Sequence, residues 1–304
     1  MNLERSKTAT RWVISSLSLL LTSSSLYSAA IVYEGFDYTS GTDIPGQGAV
    51  VDGWSGAWTE TTSSSSPVVW ETVSGLSFGA LEVTGGAAQR TSRTGNAAMT
   101  RSISASSQAA LTGDDTTIWF SVLMAPTGGD GNGFALNTYA TLVFGNAALT
   151  GGSGNSAAPI TVGGDALGVS FASAGGADFA NMTVQGVTYR DGVAVQAGSC
   201  LVGEGTSLIV GKIDWAANGS DDTLTLYNIL DPTAALPASF VSMSVDFDQS
   251  DFNVISVGDS QTSVFDEIRL GSELADVLPV PEPSSLTLLA LSSVALLRRR
   301  AIRG

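Results

Sequence analysis

The sequence predicts an all-β protein built as a two-sheet sandwich, and three observations lead to this prediction. Apolar residues alternate with others along short segments, as Ile118, Phe120 and Val122 do, which is the period of a strand with one buried face. Clusters of glycine, asparagine and aspartate separate these segments, as turns do. No segment between residues 31 and 279 has a sustained helical period. Many short strands of this kind bury their apolar faces by packing two sheets together.

The N-terminal region predicts a signal peptide over residues 1–30. Arg5 and Arg11, with a lysine between them, precede an apolar run at residues 12–21, and small residues at positions 28–30 suit cleavage by signal peptidase. A retained membrane helix is the alternative. It is the weaker one, because the apolar run is shorter than the about 20 residues that span a bilayer.

The body, residues 31–279, predicts a single domain, because it contains no long linker, charge run or fixed-period repeat. Its strand patterns and the turns between them follow one another along the chain. The clearest strand patterns lie at residues 118–123, 167–171, 209–215 and 223–227, and the clearest turns at 128–133 and 218–222.

The C-terminal region predicts a short membrane-inserted tail. Its characteristic residues are Pro281, Glu282, Pro283, Arg298, Arg299 and Arg300. The prolines favour an extended segment, a hydrophobic helix follows at residues 286–297, and the arginines hold its end on the cytoplasmic side. Counted from residue 284, the helix has about 14 residues and rises only about 21 Å, less than the about 30 Å hydrocarbon core, so it would be a poor permanent anchor.

This tail resembles the PEP-CTERM sorting signal of Gram-negative bacteria, over residues 280–304. The Pro-Glu-Pro segment, the apolar helix and the arginine cluster stand in the family's order. The resemblance implies that an exosortase cleaves near Pro281 and that the body, anchored briefly in the inner membrane, reaches the cell surface or the exterior. It also implies an association with producers of extracellular polysaccharide. A plain anchor or an unrelated apolar tail is the alternative.

Composition excludes several classes of function. The chain has 13 Lys+Arg, 28 Asp+Glu, no histidine and one cysteine, with a formal net charge of -15. Because seven of the basic residues lie in the two terminal regions, the body is more acidic still, and it should repel nucleic acids and anionic headgroups. The absence of histidine excludes Ser-His-Asp catalysis and His-ligated metals, and Cys200 alone cannot form an intramolecular disulfide.

Four segments of the body resemble exported bacterial domains of the concanavalin A-like lectin/glucanase type, which implies a jelly roll. These segments are residues 33–38, 53–58, 81–86 and 265–271. The glucanase members carry a Glu-x-Asp-x-x-Glu strand, which this sequence lacks, and its nearest same-face acids are Asp246 and Asp248. We therefore expect a non-catalytic sandwich that interacts with extracellular polysaccharide. A glycan-active hydrolase or lyase and a purely structural matrix protein remain as alternatives.

Trp54, Trp58 and Trp70 are the candidate sugar-binding residues. The first two lie in a glycine-flanked loop and the third follows a serine tract, where exposed rings could stack on neutral sugars. The alternative is that these rings cover the sandwich core, as large aromatic side chains usually do.

Two turns are candidate calcium sites. Asp130 and Asn132 in one turn, and Asp221 and Asp222 in the other, offer the carboxylate, amide and backbone oxygens that calcium prefers. Neither matches an EF-hand. The alternative is ordinary turn chemistry, because Asp, Asn and Gly tolerate left-handed backbone and cap it locally.

Overall fold

The computed structural model describes residues 29–62, 70–91, 97–126, 139–150, 161–173, 182–202, 205–260 and 263–278. The described strands, in chain order, are β1 (Val32–Glu34), β2 (Thr59–Thr62), β3 (Trp70–Ser74), β4 (Gly86–Arg90), β5 (Ala97–Ser102), β6 (Thr117–Pro126), β7 (Tyr139–Gly145), β8 (Leu149–Thr150), β9 (Thr161–Val162), β10 (Ala166–Ser173), β11 (Met182–Arg190), β12 (Val193–Leu201), β13 (Ser207–Asp214), β14 (Asp222–Ile229), β15 (Val241–Val245), β16 (Val254–Asp259) and β17 (Ser263–Gly271). The described helices are α1 (Ala105–Leu111) and α2 (Leu274–Val277), with a 3₁₀ turn at Gln249–Asp251.

Two antiparallel sheets form the molecule, which confirms the prediction of an all-β, two-sheet jelly-roll sandwich. Sheet A has the order β15-β14-β13-β6-β17-β4-β3, and β1 pairs with β17 beside β4. Sheet B has the order β12-β11-β10-β7-β16-β5-β2, and β8 and β9 form a separate two-stranded hairpin. Both sheets also contain neighbours that are far apart in sequence, as in the pairing of β6 with β13 and β17 in sheet A and of β7 with β16 in sheet B.

The main core lies between the two sheets and follows from the alternation seen in the sequence. Ile118, Phe120 and Val122 of β6 point into it and are buried, as do Leu167 and Val169 of β10 from the opposite sheet. Burying an apolar side chain of this size stabilises the fold by about 1.5–3 kcal/mol, so the facing apolar rows hold the two layers together.

The outer face of sheet A is also partly covered. Leu123, Leu208 and Val210 on this face pack against Val277 of α2, and all four side chains are buried. The hydroxyl of Ser121 donates a hydrogen bond to the carbonyl oxygen of Val277, at 2.8 Å. The short helix α2 is therefore docked flat against sheet A at the end of the described chain.

In the described part of the chain, no helix is long and apolar enough to cross a membrane. The predicted signal peptide, apart from its last two residues, and the predicted C-terminal tail lie outside the described residues.

Candidate functional site

The three tryptophans predicted to present exposed rings are buried, which corrects that expectation. Trp54 and Trp58 are 1% exposed and Trp70 is 0% exposed. The Trp54 indole N–H donates to the carbonyl oxygen of Tyr33, at 2.7 Å, and Trp70 packs on Phe265 with ring centroids 5.9 Å apart. The loop carrying the first two rings folds back over the core, because its indoles find hydrogen-bond partners there.

A buried carboxylate, Glu34, organises that loop. It accepts hydrogen bonds from the Phe36 backbone N–H at 2.8 Å, the Trp58 indole N–H at 2.9 Å and the Tyr38 hydroxyl at 3.0 Å. It also forms an ion pair with Arg101 on sheet B. A carboxylate with this many partners is satisfied in a buried position, so Glu34 joins the two sheets and is not a free acid.

Arg101 completes this cluster. Its guanidinium lies over the Trp54 ring, 4.4 Å from the centroid, and donates to the backbone carbonyl oxygens of Gly56 and Ala49, each at 2.7 Å. Burial raises the pKa of the neighbouring Tyr38 hydroxyl above its usual range. These contacts give the cluster a structural role.

Two adjacent buried acids, Asp266 and Glu267, lie at a β-bulge in β17. Glu267 adopts a left-handed backbone with φ 52, where its register with β6 shifts. Its carboxylate accepts from the Thr84 backbone N–H at 2.7 Å and the Tyr33 hydroxyl at 3.0 Å, and pairs with Arg269. Its neighbour Asp266 is fully buried, and burial raises the pKa of that carboxyl to about 8.

The two acids of the second candidate calcium turn, Asp221 and Asp222, have different surroundings. Asp222 is buried and its carboxylate accepts from the Ala216 and Phe247 backbone N–H groups, at 2.8 and 2.9 Å, so the expectation that it is a loop ligand is wrong. Burial raises its pKa. Asp221 is exposed. Within the described ranges, no three acidic or sulfur ligands converge as a metal site would require. Asp130 and Asn132 lie outside those ranges.

The nearest same-face acids of the sequence, Asp246 and Asp248, lie beyond the end of a strand. Strand β15 ends at Val245, and Asp246 accepts the Gly219 backbone N–H at 3.0 Å. Asp248 accepts the Ser250 hydroxyl at 2.6 Å and caps the 3₁₀ turn. Both carboxylates therefore hold turns.

An aromatic platform that the sequence analysis did not single out lies on the outer face of sheet A. It consists of Trp119 on β6 and Tyr227 on β14, which are both partly exposed. Their ring centroids are 6.2 Å apart with an interplanar angle of 28°. The two strands flank β13 and are separated by two strand spacings, about 9.6 Å, so the rings reach towards each other over β13.

Polar groups border this platform. Lys212 of β13 lies directly opposite Trp119, and its ammonium pairs with Asp214 at 2.7 Å. The Thr117 hydroxyl donates to the same carboxylate at 2.6 Å. The platform thus combines two nearly parallel rings with hydroxyl, ammonium and carboxylate groups whose charges are balanced.

One sequence signal could have found the platform. Trp119 stands at the outward position of an alternating strand, between the buried Ile118 and Phe120. Tyr227 holds the equivalent position beside Leu226. A large aromatic residue on the face that alternation assigns to solvent is a better indication of an exposed ring than a glycine-flanked loop.

Similar solved structures include three carbohydrate-related proteins. The first is a carbohydrate esterase from the Shiga toxin-encoding bacteriophage phi24B, 14% identical, covering 80% of this chain and 97% of that chain with a TM-score of 0.40. The second is the carbohydrate-binding module CBM66 from Bacillus subtilis, which is 13% identical. The match covers 67% of this chain and 95% of that chain, with a TM-score of 0.33. The third is a Lotus tetragonolobus seed lectin, which is 9% identical. The match covers 75% of this chain and 100% of that chain, with a TM-score of 0.37. No curated protein matches the chain.

The C-terminal region matches a family model described as the PEP-CTERM protein-sorting motif, over residues 279–301. The match spans the Pro-Glu-Pro segment, the apolar run and Arg298, Arg299 and Arg300, which lie outside the described residues. It confirms the predicted sorting signal and the prediction that an exosortase processes the chain. The chain is therefore an exported protein that carries a PEP-CTERM sorting motif behind a two-sheet β-sandwich.

Proposed function

We propose that the protein is a non-catalytic, carbohydrate-binding sandwich that holds neutral extracellular polysaccharide through the Trp119–Tyr227 platform. The observation that carries this proposal is the nearly parallel, partly exposed ring pair on the outer face of sheet A. Each pyranose ring of a polysaccharide has an apolar C–H face that stacks on an aromatic ring, while its hydroxyls need polar partners at the ring's edge. The platform offers both.

Electrostatics favour a neutral polymer over an acidic one. Lys212 is the cation beside the rings, and its pairing with Asp214 leaves no excess positive charge there. The chain as a whole has a net charge of -15, which repels anionic polymers at long range. The ligand therefore has to be recognised by stacking and hydrogen bonding.

Three buried carboxylates support a non-catalytic role. Glu34 and Glu267 each bind an arginine and a backbone N–H, and Asp222 binds two backbone N–H groups. An acid–base pair for glycoside hydrolysis needs carboxyls that face the same sugar. Carboxylates already committed to backbone donors are poorly suited to that task.

Delivery to the exterior fits this role. The PEP-CTERM motif is the signal by which exosortase processes an exported protein, and a binding module for extracellular polysaccharide functions only outside the cell. We propose the cell surface or the surrounding polysaccharide as the final location, with signal peptidase and exosortase as the processing partners. The proposed binding does not require a calcium ion.

A glycan array probed with the exported protein tests the proposal. We expect saturable binding to one or more neutral glycans, and Trp119→Ala and Tyr227→Ala should each weaken it by about tenfold, if each ring contributes about 1.4 kcal/mol. Leu230→Ala is the matched control, because Leu230 is 85% exposed and lies outside the platform.

Three results would count against the proposal. Unchanged binding by both aromatic variants would move the site elsewhere, and no binding to any neutral glycan would favour a purely structural matrix protein. Release of glycan fragments during the incubation would favour the hydrolase or lyase alternative. Unchanged melting temperatures of the variants would show that the measured losses concern binding.

A further inference from the structure

Strand β12 (Val193–Leu201) forms one edge of sheet B. In the part of the chain that the structure describes, β11 is the only strand that pairs with it. Within the described ranges, the backbone N–H and C=O groups on its other edge therefore have no strand partner. Such an edge is a template for another strand.

This edge lacks the charges that protect other edges of the sandwich. The nine residues of β12 contain no Asp, Glu, Lys, Arg or Pro. On the opposite side of the molecule, the edge strand β2 carries Glu60 within its four residues, and the outer edge of β3 is hydrogen-bonded to residues 41–44. The edge strand of sheet A, β15, is also uncharged but has only five residues. In a chain with a net charge of -15, β12 is therefore the longest uncharged edge strand that another acidic copy can approach.

The exposed apolar side chains concentrate on the same strand. Among the described residues, six large apolar side chains are exposed, and three of them belong to β12: Val193 at 66%, Val195 at 55% and Leu201 at 65%. Val193 and Val195 share one face of a regular run that ends at Gly198. Pairing at this edge would place a side chain of the partner strand beside each of them on the same face and so cover part of their apolar surface.

Gly198 limits the run that can pair. The register between β11 and β12 shifts at this point, and Gly198 has a φ of 63. A Cβ atom there would lie 2.5 Å from Cβ of Val241, so the bulge is pressed against β15. The regular segment is therefore Val193 to Ala197, whose centre is Val195.

We propose that two copies of the protein pair β12 with β12, antiparallel, about a two-fold axis at Val195. This register places Val193 opposite Ala197 and Val195 opposite its own counterpart, with no charge facing a like charge. The same patch serves both copies, so the association closes as a dimer and joins the two B sheets into one continuous sheet. A dimer carries two aromatic platforms, although the pairing does not depend on what they bind.

The second copy fits this edge better than an unrelated peptide does. The two-fold axis matches each exposed valine with a neutral, small or apolar partner from an identical strand. The edge is used up once paired, which limits growth to two copies. A foreign strand would have to supply the same uncharged pattern by chance.

Sedimentation velocity of the exported protein over a range of concentrations tests the pairing. We expect a concentration-dependent dimer for the wild type. Val195→Lys should raise its dissociation constant at least about tenfold, because the axis brings two ammonium groups together at the seam. The matched control is Leu230→Lys, which adds the same charge at an exposed apolar position outside β12 and should leave the dimer intact.

A charge-swap experiment separates this pairing from a general effect of charge. Val195→Glu alone should be monomeric for the same reason, and an equimolar mixture with Val195→Lys should restore dimers. Unchanged circular dichroism would confirm that both variants fold. A monomeric wild type at all concentrations, an equal loss in Leu230→Lys, or a mixture that stays monomeric would each overturn the proposal.

Discussion

Glu34 and Glu267 show how this acidic chain places carboxylates inside a β-sandwich. Each forms an ion pair with an arginine and also accepts a backbone N–H, from Phe36 and Thr84 respectively. A buried charge is costly unless it is both paired and hydrogen-bonded, and removing one partner of such a pair typically costs about 3–5 kcal/mol. The two glutamates fasten neighbouring loops to β1 and β17.

Asp266 should make stability depend on pH. Its folded pKa is about 8, against an ordinary 3.8, because burial disfavours the charged form. The stabilising contribution of its protonated form is complete below about pH 4 and is lost as pH rises towards about 8, with a slope of at most about 1.4 kcal/mol per pH unit. The advantage of the wild type over Asp266→Asn in urea unfolding should therefore shrink across this range.

Asp231→Asn is the control for that titration. Asp231 is exposed, and its hydrogen bonds from Thr233 lower its pKa, so the effect of its charge is already complete above about pH 4. The difference between this variant and the wild type should stay constant where that for Asp266→Asn changes. A constant difference for Asp266→Asn as well would show that its carboxyl ionises normally.

For individual side chains, the sequence predicted burial better within strands than within loops. The alternation at Ile118, Phe120 and Val122 placed all three correctly in the core. Trp54 and Trp58 were candidates for exposed rings because their loop is flanked by glycine, with cover of the core as the alternative. The hydrogen bond that holds Trp58 in its buried position comes from Glu34, 24 residues away in sequence. A local sequence pattern does not reveal a contact with a residue so distant in sequence.

Strand β13 depends on a glycine at its centre. Gly211 lies directly opposite Phe120 of β6, and a Cβ atom there would lie 2.0 Å from the Phe120 ring carbon Cε1. Gly211→Ala must therefore displace the ring within a packed core, and we expect a loss of about 1–3 kcal/mol in the free energy of unfolding. Urea denaturation of the variant measures this loss.

Gly163→Ala provides the comparison for that measurement. Gly163 is exposed and does not have a positive φ, and a Cβ atom added there would meet no other atom within 4 Å. Its replacement should leave stability within about 0.5 kcal/mol of the wild type. Equal effects of the two substitutions would mean that the Phe120 contact relaxes without cost.

The elements predicted from the sequence were those with a clear alternation, and length alone did not decide this, because β11 and β12 have nine residues each without a clear pattern. Ten-residue β6 shows several alternations, whereas α1 and α2 have seven and four residues, too few for a helical period to be recognised. The turn at residues 218–222 was predicted from its composition and is present, closed by a hydrogen bond from Ser220 N–H to the Ala217 carbonyl oxygen. The bulge in β17 has no comparable signal, because Glu267 is not a glycine.

For the whole molecule, processing of the two ends is directly measurable. The exported protein should lack residues up to about Ala30 and the tail from about Pro281 onwards, because the N-terminal pattern predicts a signal peptide and the C-terminal region matches the PEP-CTERM motif. Intact-mass measurement of protein recovered outside producing cells gives both boundaries. Retention of Arg298 to Arg300 in that protein would contradict the C-terminal cleavage.

The two-layer architecture was predictable, but the order of its strands was not. Alternation indicates that a strand has one buried face, but it does not indicate which strands pair with that strand. The pairing of β1 with β17 joins the two ends of the body, as at Val32 and Leu270. The aromatic platform depends on the same long-range order, since it forms only because β13 separates β6 from β14.

The docking of α2 on sheet A also determines how the protein bears mechanical load. A pull on the tail beyond residue 278 first reaches α2, whose few contacts can peel away one after another. The force then passes to β17, which pairs with β6 on one side and with β4 and β1 on the other. A pull along this strand stretches its hydrogen bonds together in shear. While the tail is held at the membrane, we therefore expect the helix to detach before the strands of the sandwich separate.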